Sequence, residues 1–147
     1  MARKQLGVVP SNSIDATTKS YVDSATASII QPYDLSLIGF GANTTRTAGS
    51  YGDNPFGIKL QRDCTLSSVT FRCNTADVSG NLVCELRRNG TTLTGSSTTI
   101  AAASQVAGGT STGTWACSAG DIITIYVTGV GTTPGTGLEA DIMGTCA

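Results

Sequence analysis

The stretch Leu82-Val83-Cys84-Glu85-Leu86-Arg87-Arg88-Asn89-Gly90-Thr91 indicates the fold class. Leu82, Cys84 and Leu86 occur at every second position, so they share one face of an extended chain, as in a strand with one buried face. The dipeptide Asn89-Gly90 follows, and it is the strongest short signal for a two-residue hairpin turn. The sequence therefore predicts an antiparallel hairpin at this point.

The same period of two recurs on both sides of this hairpin. Val69, Phe71 and Cys73 fall on one face, with Thr70 and Arg72 on the other. Residues 122–127 are apolar on both faces, which predicts a central strand covered on each side. Further strands are predicted at residues 35–40, 64–66, 91–93, 98–100, 105–106, 114–117 and 138–143. Residues 98–100 and 105–106 are either two short strands or one longer bent strand. About eight strands with turns every 8–12 residues or so favour a mainly β, antiparallel β-sandwich or jelly roll.

The chain before residue 33 has a different pattern, which divides the sequence into three parts. Residues 1–12 predict an extended arm, because Gly7 and Pro10 oppose regular structure. Residues 13–31 predict a short helix with Ser13 or Asp15 as N-cap. Pro32 ends this helix, since the residue before a proline disfavours the helical region. Residues 33–147 then form the β domain.

The predicted helix carries an apolar stripe suited to anchoring or oligomerisation. Thr18, Val22, Ala25 and Ile29 are spaced by 4, 3 and 4 residues, the spacing of a coiled-coil seam, and Tyr21 lies beside them. A helix this short is marginal alone in water, so it must dock on another surface. Either copies of the chain associate through this stripe, as a homotrimer, or it packs on its own β domain or on a neighbouring protein.

The sequence offers no convincing catalytic or metal site. It contains no histidine, which removes the commonest general base and most transition-metal ligands. Glu139 and Asp141 share a strand face and could form a glycosidase-like pair, although such pairs are usually solvated. Asp53 and Asp77 could offer oxygens to calcium, but their spacing fits no standard loop. We therefore predict a non-enzyme with no cofactor and no metal.

The segment Gly129-Val130-Gly131-Thr132-Thr133-Pro134-Gly135-Thr136-Gly137 is rich in glycine. A phosphate-binding loop also needs a lysine and a following helix, and both are missing here. The segment therefore predicts a long flexible loop between two strands.

Weak candidates for surface binding are Tyr51, Asn89 and Trp115, because aromatic rings stack on sugars and amides bond their hydroxyls. The competing interpretation of the single tryptophan is a core residue. A glycan-binding module would require such groups to lie exposed in one concave patch.

The amino-acid composition limits the binding partners and the cellular compartment that the chain suits. Of the 147 residues 13% are charged and the net charge is −1, which gives no electrostatic footprint for nucleic acid. No apolar run suits a signal peptide or membrane insertion. The five cysteines are odd in number and lack CxxC spacing, which favours small buried side chains; a Cys73–Cys84 bridge is conceivable in an oxidising medium.

Asp15-Ala16-Thr17-Thr18-Lys19-Ser20-Tyr21-Val22-Asp23 resembles a segment found near the N-termini of tail-fibre and minor tail proteins of tailed bacteriophages. The second half, from residue 82 through Ser118-Ala119-Gly120-Asp121 to Leu138, is similar to β domains of structural proteins of actinobacterial siphophages. The resemblance implies a helix that feeds a trimeric stalk or anchor, and a place in the virion. The chain has no extended shaft repeat, which favours a small subunit over a long fibre.

These observations predict a virion structural protein, specifically a trimeric minor tail protein with a projecting β domain. It would contact copies of itself and other tail or capsid proteins after assembly in the host cytoplasm. Two alternatives stay open. One is a capsid decoration protein, and the other is an adhesion module that binds a host surface glycan.

Overall fold

The computed structural model describes residues 30–146 of the chain. This part contains ten β-strands and one short 3₁₀-helix, joined by loops and turns. Residues 31–146 form one compact unit. The elements are β1 (Gln31–Pro32), β2 (Leu35–Thr45), β3 (Ile58–Lys59), β4 (Cys64–Arg72), β5 (Asn81–Arg88), β6 (Thr91–Thr92), β7 (Thr98–Ala101), the 3₁₀-helix (Ala102–Ser104), β8 (Gly109–Cys117), β9 (Ile122–Gly129) and β10 (Thr136–Cys146).

The strands form two antiparallel sheets. The first has the order β1-β10-β4-β8. Strand β2 also pairs with β10, along residues 136–142, whereas β1 pairs with residues 145–146. The second has the order β3-β9-β5-β6. Strand β7 also pairs with β5, along residues 81–84, whereas β6 pairs with residues 87–88. One hydrophobic cluster takes buried side chains from both sheets, with Phe71 and Ile142 from the first and Leu82 and Ile125 from the second. The prediction of a mainly β, antiparallel fold is confirmed.

The predicted inward faces are also confirmed. Leu82, Cys84 and Leu86 are fully buried on β5, and Val69 and Phe71 are fully buried on β4. Alternation of this kind is a local property of an extended chain, so it survives whatever the strand order is.

The hairpin turn after β5 forms as the sequence predicts. Asn89 and Gly90 both have positive φ, at 50° and 82°, which is the conformation of a type I′ turn. Arg88 pairs with Thr91 across the turn. The returning strand, β6, is only two residues long.

Several strand assignments differ from the sequence prediction, which does not include β1 or β3. Residues 105–106 are not a strand: they follow the 3₁₀-helix in a turn, where the fully buried Gln105 serves a polar network described below. Residues 138–143 are part of a longer strand than predicted, Thr136–Cys146. They belong to β10, which lies between β4 on one side and β1 and β2 on the other.

The end of the predicted N-terminal helix also needs correction. Gln31 lies in strand β1 and pairs with Cys146, and the Tyr33 N–H donates to the Gly144 carbonyl at 2.8 Å. The following Pro32 explains this, because it disfavours a helical Gln31 and is tolerated on a short strand at a sheet edge. The rest of the predicted helix and the arm of residues 1–12 lie outside the described residues.

All five cysteines are buried and carry free thiols. Their prediction as small buried side chains is confirmed. The conceivable Cys73–Cys84 bridge is not formed in this structure.

Candidate functional site

A groove on the outer side of the second sheet brings together two of the three predicted surface-binding residues, Tyr51 and Asn89. Its volume is about 380 Å³. The lining residues come from the loop before β3, the β5–β6 turn and β9: Tyr51, Pro55, Phe56, Asn89, Gly90, Ile122 and Thr124. The groove is the best candidate for a binding site in the described part of the chain, because its aromatic residues meet in one concavity.

Arg87 stacks on Tyr126 and Tyr51 beside this groove, and Tyr51 is also one of the residues that line it. The Arg87 guanidinium carbon lies 3.4 Å from the ring centre of Tyr126 and 5.6 Å from that of Tyr51. The two tyrosine rings meet edge to face with their centres 4.8 Å apart. Cation–π contact and edge-to-face packing both stabilise this arrangement, so the stack holds Tyr51 in a fixed position at the groove wall.

Hydrogen bonds also hold Arg87 in place. Arg87 Nε donates to Glu85 Oε1 at 2.8 Å, and Nη1 donates to the Tyr51 hydroxyl at 3.2 Å. The Thr92 hydroxyl also donates to Glu85 Oε1 at 2.8 Å. Burial lowers the pKa of Arg87, but the bonds to Tyr51 and Glu85 outweigh it and raise the pKa above its usual value. The guanidinium therefore stays charged and serves the structure of the groove wall.

Asn89 lies at the groove, but its amide is already engaged. Its Nδ2 donates to Asp121 Oδ1 at 2.7 Å, and its Oδ1 accepts from the Ile122 N–H at 2.9 Å. The pKa of Asp121 is lowered, first by the hydrogen bond from the Ser118 N–H and then by the bond from Asn89. Asn89 thus ties the hairpin turn to the start of β9, and both polar atoms of its amide already have a protein partner.

The third predicted surface residue, Trp115, is not at the groove and is not on the surface. Its side chain is 6% exposed and belongs to the hydrophobic core. The indole Nε1 donates to the Thr94 carbonyl at 2.8 Å. Trp115 faces inward on β8 because it follows the alternation of that strand, in which Cys117 is also buried. The surface prediction for Trp115 is wrong and the core interpretation is confirmed.

Phe56 is the exposed aromatic residue that the sequence interpretation missed. It is 85% exposed, beside Pro55 and the partly exposed Ile122. Phe56 lies in a turn-rich loop with no periodic pattern, so its exposure could be inferred only weakly, from the Asn54-Pro55-Phe56-Gly57 turn signal.

The acidic pair Glu139 and Asp141 shares the outer face of β10, as predicted, and both carboxylates bind one arginine. Arg72 Nη2 lies 3.0 Å from Glu139 Oε2, and Arg72 Nε lies 3.1 Å from Asp141 Oδ2. The Ser36 hydroxyl donates to Glu139 Oε1 at 2.8 Å. The side chains are 34–49% exposed, which makes this a partly solvated ion-pair network on the sheet surface.

A buried polar network was not predicted from the sequence. Arg46, Asp77 and Gln105 are at most 3% exposed, and Arg46 Nη2 lies 2.6 Å from Asp77 Oδ1. Gln105 accepts from Arg46 Nη2 and from the Asp77 N–H, and its own amide donates to Asp77 Oδ2 at 3.2 Å. Arg46 Nη1 also donates, at 2.8–2.9 Å, to the carbonyls of Thr75, Thr136 and Gly137.

The glycine-rich loop encloses this network. The N–H groups of Gly131 and Gly135 donate to Asp77 at 2.7 and 2.9 Å. A side chain at either glycine would collide with a backbone carbonyl, of Ser79 or of Thr75. The loop therefore cradles a carboxylate of its own chain, much as other glycine loops cradle a phosphate, and it is tied down by these bonds. Both oxygens of Asp77, a candidate source of calcium ligands, are bonded to protein donors.

The predicted anchoring residues, Thr18, Tyr21, Val22, Ala25 and Ile29, lie outside the described residues. Within residues 30–146 no group of three or more His, Cys, Asp or Glu side chains is arranged to hold a metal ion. No helix in that same range is long and apolar enough to cross a membrane. Comparisons with protein-family models, with curated proteins and with solved structures found no match.

Proposed function

We propose that this chain is a non-enzymatic structural protein of a tailed-bacteriophage virion, a trimeric minor tail protein attached through its N-terminal arm and helix. Its two sheets would form a jelly-roll-like knob that projects from the tail. The supporting sequence observation is the segment from Asp15 to Asp23, which resembles the anchor region of such proteins. The supporting structural observation is that residues 31–146 form a compact unit with a hydrophobic core.

The polar groups of this β domain fit a structural role. Its buried ion pair, Arg46 with Asp77, joins four chain segments, and its outer ion pairs from Arg72 lie on one sheet face. Neutral Thr and Ser cover much of the remaining sheet surface; for example, the hydroxyls of Thr70 and Thr110 lie 2.7 Å apart on the outer face of the first sheet. Such a surface loses little charge hydration when another subunit covers it.

The first prediction concerns the anchoring stripe. Replacing Val22 and Ile29 together by aspartate places two charges in the proposed seam, and we expect the trimer to become a monomer. Sedimentation velocity with multi-angle light scattering measures the mass, and the melting temperature reports whether the β domain stays folded. A matched pair, Ser20→Asp with Ala27→Asp, adds the same charge off the seam and should leave the trimer intact.

The same measurement on a chain that starts at Gln31 separates the alternatives. A trimer that becomes a monomer on truncation supports anchoring through residues 1–30. A mass that both aspartates and truncation leave unchanged contradicts it. The position of an antibody label on intact virions then distinguishes a tail subunit from a capsid decoration protein.

A second candidate function is glycan binding at the groove of Tyr51 and Phe56. The observation in its favour is the 85% exposure of Phe56 beside the fixed ring of Tyr51 in one concavity. Exposed aromatic faces suit the apolar face of a sugar ring, although the engaged amide of Asn89 gives this site few free polar partners.

We expect Phe56→Ala to weaken binding to any glycan retained on an array by about tenfold or more, because it removes the largest exposed contact. Val106→Ala, which also truncates an exposed apolar residue (55% exposed), is the matched control and should bind as the wild type does. Equal binding by both variants, or no glycan retained by the wild type, excludes the groove as a sugar site.

A further inference from the structure

Three of the five cysteines form a row across one end of the first sheet. Cys64 begins β4, Cys117 ends β8 and Cys146 ends β10. Cys64 and Cys117 are direct partners in the β4–β8 register. Thr145 is the partner of Thr65 in the β10–β4 register, so Cys146 comes next to Cys64 on its other side. All three side chains are only 5–6% exposed.

Cys64 is paired more directly with Cys117 than with Cys146. Cys64 and Cys117 oppose each other inside the β4–β8 register, whereas the β10–β4 register ends at Thr145, one residue before Cys146. The Cys117 thiol donates to the Trp115 carbonyl at 3.5 Å. The Cys146 sulfur instead accepts from Arg62 Nη1 at 3.8 Å. Directly opposed residues on antiparallel strands have Cα atoms about 4.5–5.5 Å apart, which lies inside the range of about 4.4–6.8 Å that disulfides span.

We propose that Cys64 and Cys117 form an oxidative modification site, which closes into a cross-strand disulfide when the protein meets a small-molecule disulfide such as oxidised glutathione. One protein thiolate attacks the small disulfide, forms a mixed disulfide and releases one small thiolate. The second protein thiolate attacks the protein sulfur of that mixed disulfide and displaces the other. Two protein thiols lose two electrons and two protons, and one small disulfide is reduced to two thiols.

The surroundings set the rate of this reaction. Burial, and then the charges of Cys117 and Cys146, raise the pKa of Cys64 to about 11. Thiolate is the attacking species, so the reaction is slow at neutral pH and accelerates as the pH rises toward that pKa. The slight exposure of the row contrasts with Cys84, which is fully buried and whose pKa burial raises strongly. Oxidation should therefore favour the row over the Cys73–Cys84 pair.

The experiment treats the folded full chain with oxidised glutathione at neutral and alkaline pH, followed by an acid quench and alkylation of the remaining thiols. Digestion with trypsin and with a protease that cleaves before aspartate places each cysteine in a separate peptide, because Asp77 separates Cys73 from Cys84, and Asp121 and Asp141 separate Cys117 from Cys146. We expect the peptides of Cys64 and Cys117 to be joined, more rapidly at the higher pH.

The variants Cys146→Ser and Cys64→Ser serve as the matched pair. Cys146→Ser should oxidise as the wild type does, and Cys64→Ser should form no bridge in the row. The bridged protein should melt on the order of 10 °C higher than its reduced form, since the bond closes a long loop in the unfolded chain. A predominant Cys64–Cys146 or Cys73–Cys84 bridge, or unmodified protein under conditions that oxidise the unfolded chain, would falsify the proposal.

Discussion

Asp77→Ala lowers the free energy of unfolding by about 3–5 kcal/mol, the cost typical of breaking a buried ion pair from one side. The variant leaves the Arg46 guanidinium buried without a counter-charge. It also removes the acceptor for the N–H groups of Gly131 and Gly135. Chemical denaturation followed by circular dichroism measures the loss. A change below about 1 kcal/mol would show that water or a shifted loop replaces the carboxylate.

Arg72→Met is the matched control for the complementary variant Arg46→Met, because both remove an arginine that holds a carboxylate in the same fold. The Arg72 side chain is 49% exposed, so its ion pairs with Glu139 and Asp141 are screened by water and their loss costs about 1 kcal/mol or less. Arg46→Met should cost several times as much. If the two variants lose similar amounts of unfolding free energy, burial does not explain the contribution of Arg46.

The double variant Arg46→Met/Asp77→Leu tests what the pair does beyond its own attraction. Apolar replacement of a buried ion pair is often neutral. Here the pair also bonds five backbone groups, two N–H donors and three carbonyl acceptors, which the double variant leaves without these partners. We therefore expect the double variant to remain destabilised by about 3 kcal/mol or more. Recovery of wild-type stability would show that the network acts only as a charge pair.

Acid should weaken the same network. Burial raises the pKa of Asp77, but the hydrogen bonds from Gly135, Gly131, Arg46 and Gln105 outweigh it and hold the pKa below its usual value of 3.8. The stabilisation is therefore fully present above pH 3.8 and is lost as the pH falls through the folded-state pKa.

The measurement is the difference in unfolding free energy between the wild type and Asp77→Ala across this range. We expect the difference to be constant near neutral pH and to shrink in acid. The exposed Asp53 and the partly buried Asp121, whose pKa values are also lowered, occur in both proteins, so their contributions largely cancel. A difference that stays constant down to pH 2 contradicts the assignment.

Features that depend on local chain geometry could be predicted from the sequence, whereas features that depend on contacts between distant segments could not. The inward faces of β4 and β5 could be predicted because alternation depends only on the local geometry of an extended chain. The Asn89-Gly90 turn could be predicted because its positive φ values require particular residues. Strand order could not, since residues 138–143 look like any other strand in sequence whether they lie at an edge or, as in β10, between neighbours.

The buried network and the groove could not be predicted because topology alone assembles them. Asp77 is 31 residues from Arg46 and 28 from Gln105, and no periodic pattern connects the three. Gln105 falls in a predicted strand, although its side chain bridges two charged groups. At the groove, the sequence points to Tyr51 and not to the more exposed Phe56, because both lie in loops where sequence says little about exposure.

Trp115→Ala should lower the free energy of unfolding by about 3–5 kcal/mol, as truncation of a core aromatic residue does. The indole is 6% exposed, and its Nε1 donates to the Thr94 carbonyl at 2.8 Å. Gly113 leaves room for the ring, since a Cβ there would lie 2.5 Å from the indole, so Gly113→Ala should also destabilise the domain. Thermal and chemical denaturation of both variants measure these losses.

The contrast with Phe56→Ala makes this a test of function as well as of packing. Phe56 is 85% exposed, so its truncation should change stability by no more than about 0.5 kcal/mol, and any effect it has on glycan binding is a direct one. Trp115→Phe keeps most of the buried area but loses the bond to Thr94, and it should fall between wild type and alanine in stability. If Trp115→Ala instead left stability unchanged and abolished glycan binding, the indole would have to be a binding platform, and its burial against Gly113 would be wrong.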